Sequence, residues 1–97
     1  MAEFTVTAKE LGSKADMLEG YNRALLGKIH SLEAEETALS AMWEGDSHDS
    51  FDRNFKENKG KMLLFHDEIV KYVNTLRVIA RKYETAEQKN VMTASGR

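Results

Sequence analysis

The sequence predicts an all-α fold, an antiparallel two-helix hairpin that dimerises into an elongated four-helix bundle. Three observations support this prediction. The chain of 97 residues contains no proline, so nothing in it forbids very long helices. Apolar residues recur at alternating spacings of three and four along both halves, which is the pattern of amphipathic helices. Between the halves, Trp43-Glu44-Gly45 interrupts that pattern.

The first helix is predicted over about residues 8–43 of a single 97-residue domain. Thr7 and Glu10 have the spacing of a capping box, in which each side chain accepts a hydrogen bond from the other residue's backbone N–H. Polar Asn22 and Glu36 interrupt the apolar seam, and a buried polar residue at such a position costs stability and fixes register. The apolar seam consists of Leu11, Ala15, Leu18, Leu25, Ile29, Leu32, Leu39 and Trp43.

A turn over residues 44–47 is predicted to reverse the chain. Gly45 stands where the C-terminus of the first helix needs a residue that adopts a left-handed conformation. A link this short forces two long helices to lie antiparallel. The second helix is predicted over about residues 48–91, with a flexible tail over 92–97. Its seam consists of Phe51, Phe55, Met62, Phe65, Ile69, Tyr72, Leu76, Ile79 and Tyr83.

Both helices carry more apolar residues than one seam uses. A wider stripe is what a four-helix bundle needs, and a second copy is the simplest source of two more helices. Residues 1–45 hold four basic and eight acidic side chains, and residues 46–97 hold ten basic and eight acidic ones, so the two helices attract each other weakly. Gly60 in the second helix indicates either a kink or a close helix contact.

Composition argues against several classes of function. Without cysteine, the chain has no thiolate chemistry and no disulfide. The net charge of −2 argues against nucleic acid as a partner, and two long helices offer few convergent polar groups for an enzyme or a small-molecule site. His30, His48 and His66 form no helical i, i+4 pair. The acidic residues around His48 are explained by helix capping and the helix dipole, so we predict no metal and no cofactor.

Several motifs together resemble a known family. Trp43-Glu44-Gly45 lies mid-chain between two long amphipathic helices, Phe51 follows it, and Tyr83 and Glu87 form a Tyr-x-x-x-Glu element near the end. This combination resembles the WXG family, the hundred-residue Trp-x-Gly proteins related to the early secreted antigenic target, over nearly the whole chain. The resemblance implies hairpins that pair as homo- or heterodimers and are exported by the ATPase-driven type VII secretion system. It also implies that Tyr83 and Glu87 are the export signal, completed by the partner's Trp-x-Gly turn.

The predicted function is that of a small non-enzymatic protein exported as a dimer, acting as substrate, co-substrate or carrier for effectors. The alternative is a cytoplasmic helical adaptor or chaperone that pairs with another coiled-coil protein. The expected partners are a second copy, or else a paralogue, and the type VII secretion ATPase. We expect a cytoplasmic pool and then an extracellular or cell-surface location without a cleavable signal peptide, since residues 1–4 lack a basic region.

The individual site residues have different expected roles. Trp43 and Gly45 are expected to be chiefly structural, one closing the apolar seam and the other reversing the chain. Tyr83 continues the seam, whereas Glu87 has no packing reason to be acidic near a helix C-terminus, which favours the signal role. The residues predicted to pack in the core or the dimer are Leu18, Leu25, Ile29, Leu32, Leu39, Phe51, Phe55, Phe65, Ile69, Leu76 and Ile79.

Overall fold

The computed structural model describes residues 6–95, and over this range the chain forms a hairpin of two α-helices. Helix α1 spans Ala8–Ser40 and helix α2 spans Asp46–Ser95. The two run antiparallel and pack along their shared length, giving a molecule of 79 × 23 × 20 Å. The predicted helical hairpin is confirmed. Neither helix in the described part of the chain combines the length and apolar character needed to cross a membrane.

The helix ends differ from the predicted ones at the turn. Helix α1 ends at Ser40 rather than near residue 43, because the Met42 N–H bonds the Leu39 carbonyl at 3.1 Å and tightens the last turn. Trp43 therefore lies outside the helix. Helix α2 begins at Asp46, since the Gly45 carbonyl already accepts a hydrogen bond from the Asp49 N–H at 3.1 Å.

The rest of α2 is longer and more regular than predicted. The helix continues through Ser95, so residues 92–95 of the predicted tail are helical. It passes through Gly60 without interruption, and no atom lies within 4 Å of the position that a Cβ would occupy there. The close helix contact considered for Gly60 is therefore wrong.

The contact between the helices coincides with the predicted seam only in part: on α1 it keeps Ala15, Asn22 and Ile29 of that seam, whereas on α2 it is rotated by one residue. The buried residues of α1 recur every seven positions, at Ala8, Ala15, Asn22 and Ile29. On α2 the centre of the contact is Val73, which is 3% exposed and directly follows the predicted seam residue Tyr72. Ile29 is thus buried as predicted, and Leu25, Phe55, Ile69 and Leu76 are half-buried. Exposed members of the predicted seam are Leu18, Leu32, Leu39, Phe51, Phe65, Tyr72, Ile79 and Tyr83.

Polar contacts fix the register of the two helices. Asn22, buried in the interface, donates from Nδ2 to the His66 backbone carbonyl at 3.0 Å. Because this bond joins one residue of α1 to one carbonyl of α2, it opposes sliding of the helices. The Asn22 Oδ1 atom is buried without a hydrogen-bond partner among the described residues.

Candidate functional site at the two ends of the hairpin

The open end of the hairpin is built around the capped start of α1. The predicted capping box is confirmed: Thr7 Oγ1 accepts from the Glu10 N–H at 3.0 Å, and Glu10 Oε2 accepts from the Thr7 N–H at 3.3 Å. A third acceptor comes from α2, because Glu87 Oε1 accepts a hydrogen bond from the Ala8 N–H at 3.0 Å. Side chains from both helices thus bond amides at the start of α1, those of Ala8 and Glu10.

This contact gives Glu87 a structural reason to be acidic. Its carboxylate lies at the positive end of the α1 dipole and bonds an amide that has no partner within its own helix. The expectation that structure leaves Glu87 unexplained was therefore wrong. The group beside the Glu87 carboxylate is the N-terminus of α1, and this contact favours an acid more than the C-terminus of α2 disfavours it.

Tyr83 lies one turn before Glu87 on α2. Its side chain is 44% exposed, so the hairpin alone does not bury it. Glu87 also lines a shallow depression of about 630 Å³ between the helices, together with Ala8, Gly12 and Glu84. The structure thus holds Glu87 in place at this end and leaves the Tyr83 ring accessible.

An aromatic cluster closes the other end. The ring centroid of Trp43 lies 5.4 Å from that of His48, edge-on, and 5.5 Å from that of Phe51. Phe51 in turn stacks on Phe55 at 6.5 Å. Trp43 is half-buried by these contacts. It closes the hairpin end from the turn, against the first turns of α2, and not as the last seam residue of α1.

Gly45 adopts a backbone conformation that favours glycine. Its φ angle is +116°, which side-chain-bearing residues rarely adopt. The prediction that this position needs glycine is confirmed, but Gly45 does not cap the C-terminus of α1. The C-cap of α1 is Ala41 in a right-handed conformation, and Gly45 directly precedes α2.

Ion pairs join the two helices. Arg77 on α2 binds both Glu19 oxygens, at 3.0 and 3.2 Å, and Asp16 at 2.9 Å. The hydrogen bonds and then the charge of Arg77 lower the pKa of Glu19. Lys59 pairs with Glu33 and lowers the pKa of that carboxyl in the same way. Opposite charge on the two helices pointed to such pairs, although Arg77 was not singled out.

The two ends cannot meet within one chain. Ala8 begins α1 and Trp43 follows its end, and the 33 residues of that helix span about 50 Å at 1.5 Å per residue. Since Glu87 bonds Ala8, the turn and the Tyr83–Glu87 element are about that far apart. A combined surface of the turn and this element requires a second chain.

Between the ends, an apolar groove crosses both helices. It has a volume of about 390 Å³, and nearly all of its exposed lining is apolar. Tyr21, Phe65 and Tyr72 at its walls are 66%, 58% and 60% exposed, far more than core residues. The groove is lined by Leu18, Tyr21, Asn22, Leu25, Phe65, Ile69 and Tyr72.

Comparison with known proteins supports the same fold. The family described as "Proteins of 100 residues with WXG" (WXG100) matches residues 3–88. The selenomethionine-labelled crystal structure of the secreted protein EsxB from Bacillus anthracis strain Sterne superposes with a TM-score of 0.78 at 24% identity, covering 90% of this chain and 99% of that one. The wild-type EsxB structure in space group P21 gives 0.77 at 25% identity, covering 87% and 97%.

One curated relative is similar over part of its sequence. The uncharacterized protein YfjA of Bacillus subtilis (strain 168) is 36% identical over 53 residues, which cover 55% of this chain and 51% of that protein. The match thus spans about half the length of YfjA.

Proposed function

This chain belongs to the WXG100 family of hundred-residue Trp-x-Gly proteins, and on that premise we propose that it is a non-enzymatic protein exported by a type VII secretion system as a folded homodimer. It acts there as a substrate, co-substrate or carrier for effectors. The description of EsxB as a secreted protein supports export. The observation that carries the dimer is the exposed apolar groove across both helices.

The groove is suited to a second copy of the same surface. Its walls expose three aromatic rings that a lone hairpin leaves in water, and burying each such side chain is worth roughly 2 kcal/mol. It also contains the buried Asn22 Oδ1 atom, which has no partner in the described chain. Two hairpins that pack groove against groove cover both sets of rings at once, which is the isologous arrangement of a two-fold dimer.

The position of the groove brings opposite ends of the two copies together. Ile69, in the groove, is 18 residues from Phe51 and 18 residues from Glu87, or about 27 Å along the helix in each direction. A two-fold axis through the groove at Ile69 therefore places Glu87 of one copy level with Phe51 of the other. Because Trp43 packs on Phe51, the Trp-x-Gly turn of one copy then lies near Tyr83 and Glu87 of its partner.

This arrangement explains how assembly and export are linked. A surface composed of Trp43 from one copy and Tyr83 from the other exists only in the dimer. The secretion ATPase would recognise that composite surface and so select folded pairs. Phe65 and Tyr72, which lie remote from both ends, would affect export only through pairing.

The decisive experiment compares two adjacent substitutions. Phe65→Glu places a charge in the groove, whereas Leu64→Glu places the same charge on a residue that is 67% exposed and about 100° further round the helix, outside the groove lining. We expect light scattering to give wild type and Leu64→Glu twice the chain mass of 11.0 kDa, and Phe65→Glu the single mass. In a host with a type VII system, only the two dimeric proteins should reach the medium.

Two outcomes would contradict the proposal. Normal export of a monomeric Phe65→Glu protein would show that secretion does not require pairing. Retention of wild type in cells whose secretion system exports other substrates would favour the cytoplasmic adaptor instead. A parallel host without the secretion ATPase controls for lysis, because export should stop there for every variant.

A further inference from the structure

Three side chains that can bind a metal ion converge at the turn end of the hairpin. Glu36 lies on α1, and His48 and Asp52 lie one turn apart on α2. One nitrogen or oxygen atom from each lies within 4.8 Å of those of the other two, the only such group in the described part of the chain. The side chains of His48 and Asp52 are only 17% and 23% exposed.

Polar contacts at both ring nitrogens fix the orientation of His48. Its Nδ1 atom lies 3.4 Å from Asp49 Oδ1, and its Nε2 atom lies 2.8 Å from Ser40 Oγ. The Ser40 hydroxyl donates its one proton to Glu36 at 3.0 Å, so Nε2 must supply a proton of its own to bond Ser40. A metal ion can take the place of that proton, while a carboxylate at the other ring nitrogen is the usual support of a metal-binding histidine.

The surrounding charge attracts a cation. Residues 33–52 include no lysine or arginine. The Glu36 and Asp52 carboxylates approach each other from opposite helices, and an ion between them relieves their repulsion. Lys56 Nζ lies 2.9 Å from Asp52 Oδ2 and its single positive charge also acts on Glu36, so it offsets only one of the two carboxylate charges. The acidic residues of this segment are Glu33, Glu35, Glu36, Glu44, Asp46, Asp49 and Asp52.

We propose that Glu36, His48 and Asp52 bind a divalent transition-metal ion of the Zn²⁺ class, which joins α1 to α2 beside the Trp-x-Gly turn. Imidazole and carboxylate ligands suit Zn²⁺, which accepts three protein ligands and a water molecule. Bonds of about 2.1 Å place the ligand atoms roughly 3.4 Å apart, so the side chains rotate inward and the Ser40 hydroxyl moves aside.

Binding at this site stabilises the hairpin. Its ligands come from both helices and assemble only in the folded state, so an ion that binds them favours folding. The site lies at the turn end and outside the apolar groove. Binding of Zn²⁺ at this site requires neither the proposed dimer nor export.

The test is titration of ZnCl₂ into the 97-residue chain after metal has been removed with a chelator. Calorimetry should show one ion per chain, and saturating Zn²⁺ should raise the melting temperature by at least about 5 °C. His48→Gln and Glu36→Gln should each weaken binding at least tenfold. Circular dichroism checks that each variant folds, and Asp52→Asn tests the third ligand if one of them does not.

His66 provides a matched control. Its Nδ1 atom also lies 3.4 Å from the neighbouring aspartate, and its side chain is 18% exposed, but it belongs to no cluster of three possible ligands. His66→Gln should keep full Zn²⁺ affinity, and Ser40→Ala should raise affinity because the competing hydroxyl is gone. Absence of saturable binding, equal loss in His66→Gln, or unchanged affinity in His48→Gln and Glu36→Gln would overturn the assignment.

Discussion

Replacing Glu87 by alanine tests whether its carboxylate caps α1. The substitution removes the one acceptor that residues 6–95 offer the Ala8 N–H, at 3.0 Å, and a negative charge from the positive end of α1. Loss of a capping acceptor costs about 1 kcal/mol, and loss of an exposed charge at a helix terminus costs about 0.3–1 kcal/mol. We therefore expect the free energy of unfolding to fall by about 1.3–2 kcal/mol, and to fall less in Glu87→Gln, which keeps an acceptor.

Urea unfolding followed by circular dichroism measures this change. All variants must be compared at one chain concentration, because the proposed pairing would make apparent stability depend on concentration. Glu84→Ala is the matched control, since Glu84 lines the same depression and makes no hydrogen bond to α1 within the described chain. It should change stability by less than about 0.5 kcal/mol. Equal stability of the Glu87→Ala and Glu84→Ala proteins would refute the capping role.

The same variants separate capping from export. Thr7→Ala breaks the capping box at the same end of α1 and should cost about 1 kcal/mol, without touching Tyr83 or Glu87. If Glu87 is also part of the export signal, Glu87→Ala should reduce secretion well below that of Thr7→Ala at similar stability. Equal secretion of the two would show that the carboxylate acts only through the fold.

The remaining predictions concern two glycines and the ion pairs. Gly60→Ala should raise the free energy of unfolding by about 0.5–1 kcal/mol, because no atom lies within 4 Å of the added Cβ. A lower free energy of unfolding in urea would instead indicate a kink at this position. Gly45→Ala should lower it by about 1–2 kcal/mol, since φ is +116°; an unchanged midpoint would contradict that strain. The lowered pKa values of Glu19 and Glu33 imply stabilisation that is complete above their unfolded pKa of 4.5 and lost as pH falls through the folded values. Arg77→Gln should therefore cost less stability at pH 3 than at pH 7, and equal loss at both would rule out the ion pair.

The features that depend on residues close together in the sequence were predictable. The capping box of Thr7 and Glu10 has a fixed spacing of three residues and a local physical cause. The glycine of the turn follows likewise from the need to reverse two long helices. The helix ends were less predictable, because Trp43 leaves α1 to pack on Phe51, a contact that local propensity does not contain.

The contacts that depend on helix register were not predictable. Glu87 and Ala8 are 79 positions apart in sequence, and only the rotation and register of both helices bring them together. The same is true of Glu36, which joins His48 and Asp52 from the other helix. A search for i, i+4 histidine pairs on one helix misses a cluster that two helices share.

The rotation of the seam separates residues that fold the hairpin from residues available for pairing. A heptad pattern shows which side chains are apolar but does not show whether they face the same chain or another one. In this hairpin the small side chains of Ala8 and Ala15 lie at the centre of the contact, whereas the large rings of Phe65 and Tyr72 remain 58% and 60% exposed. The free energy of apolar burial grows with side-chain area. Packing of Phe65 and Tyr72 against a second copy would therefore bury more apolar surface per residue than the α1–α2 contact buries at Ala8 and Ala15. In the proposed dimer, the placement of large residues on the open face would couple pairing to the folded hairpin, and the Trp-x-Gly turn would gain its neighbour from the partner at the same step.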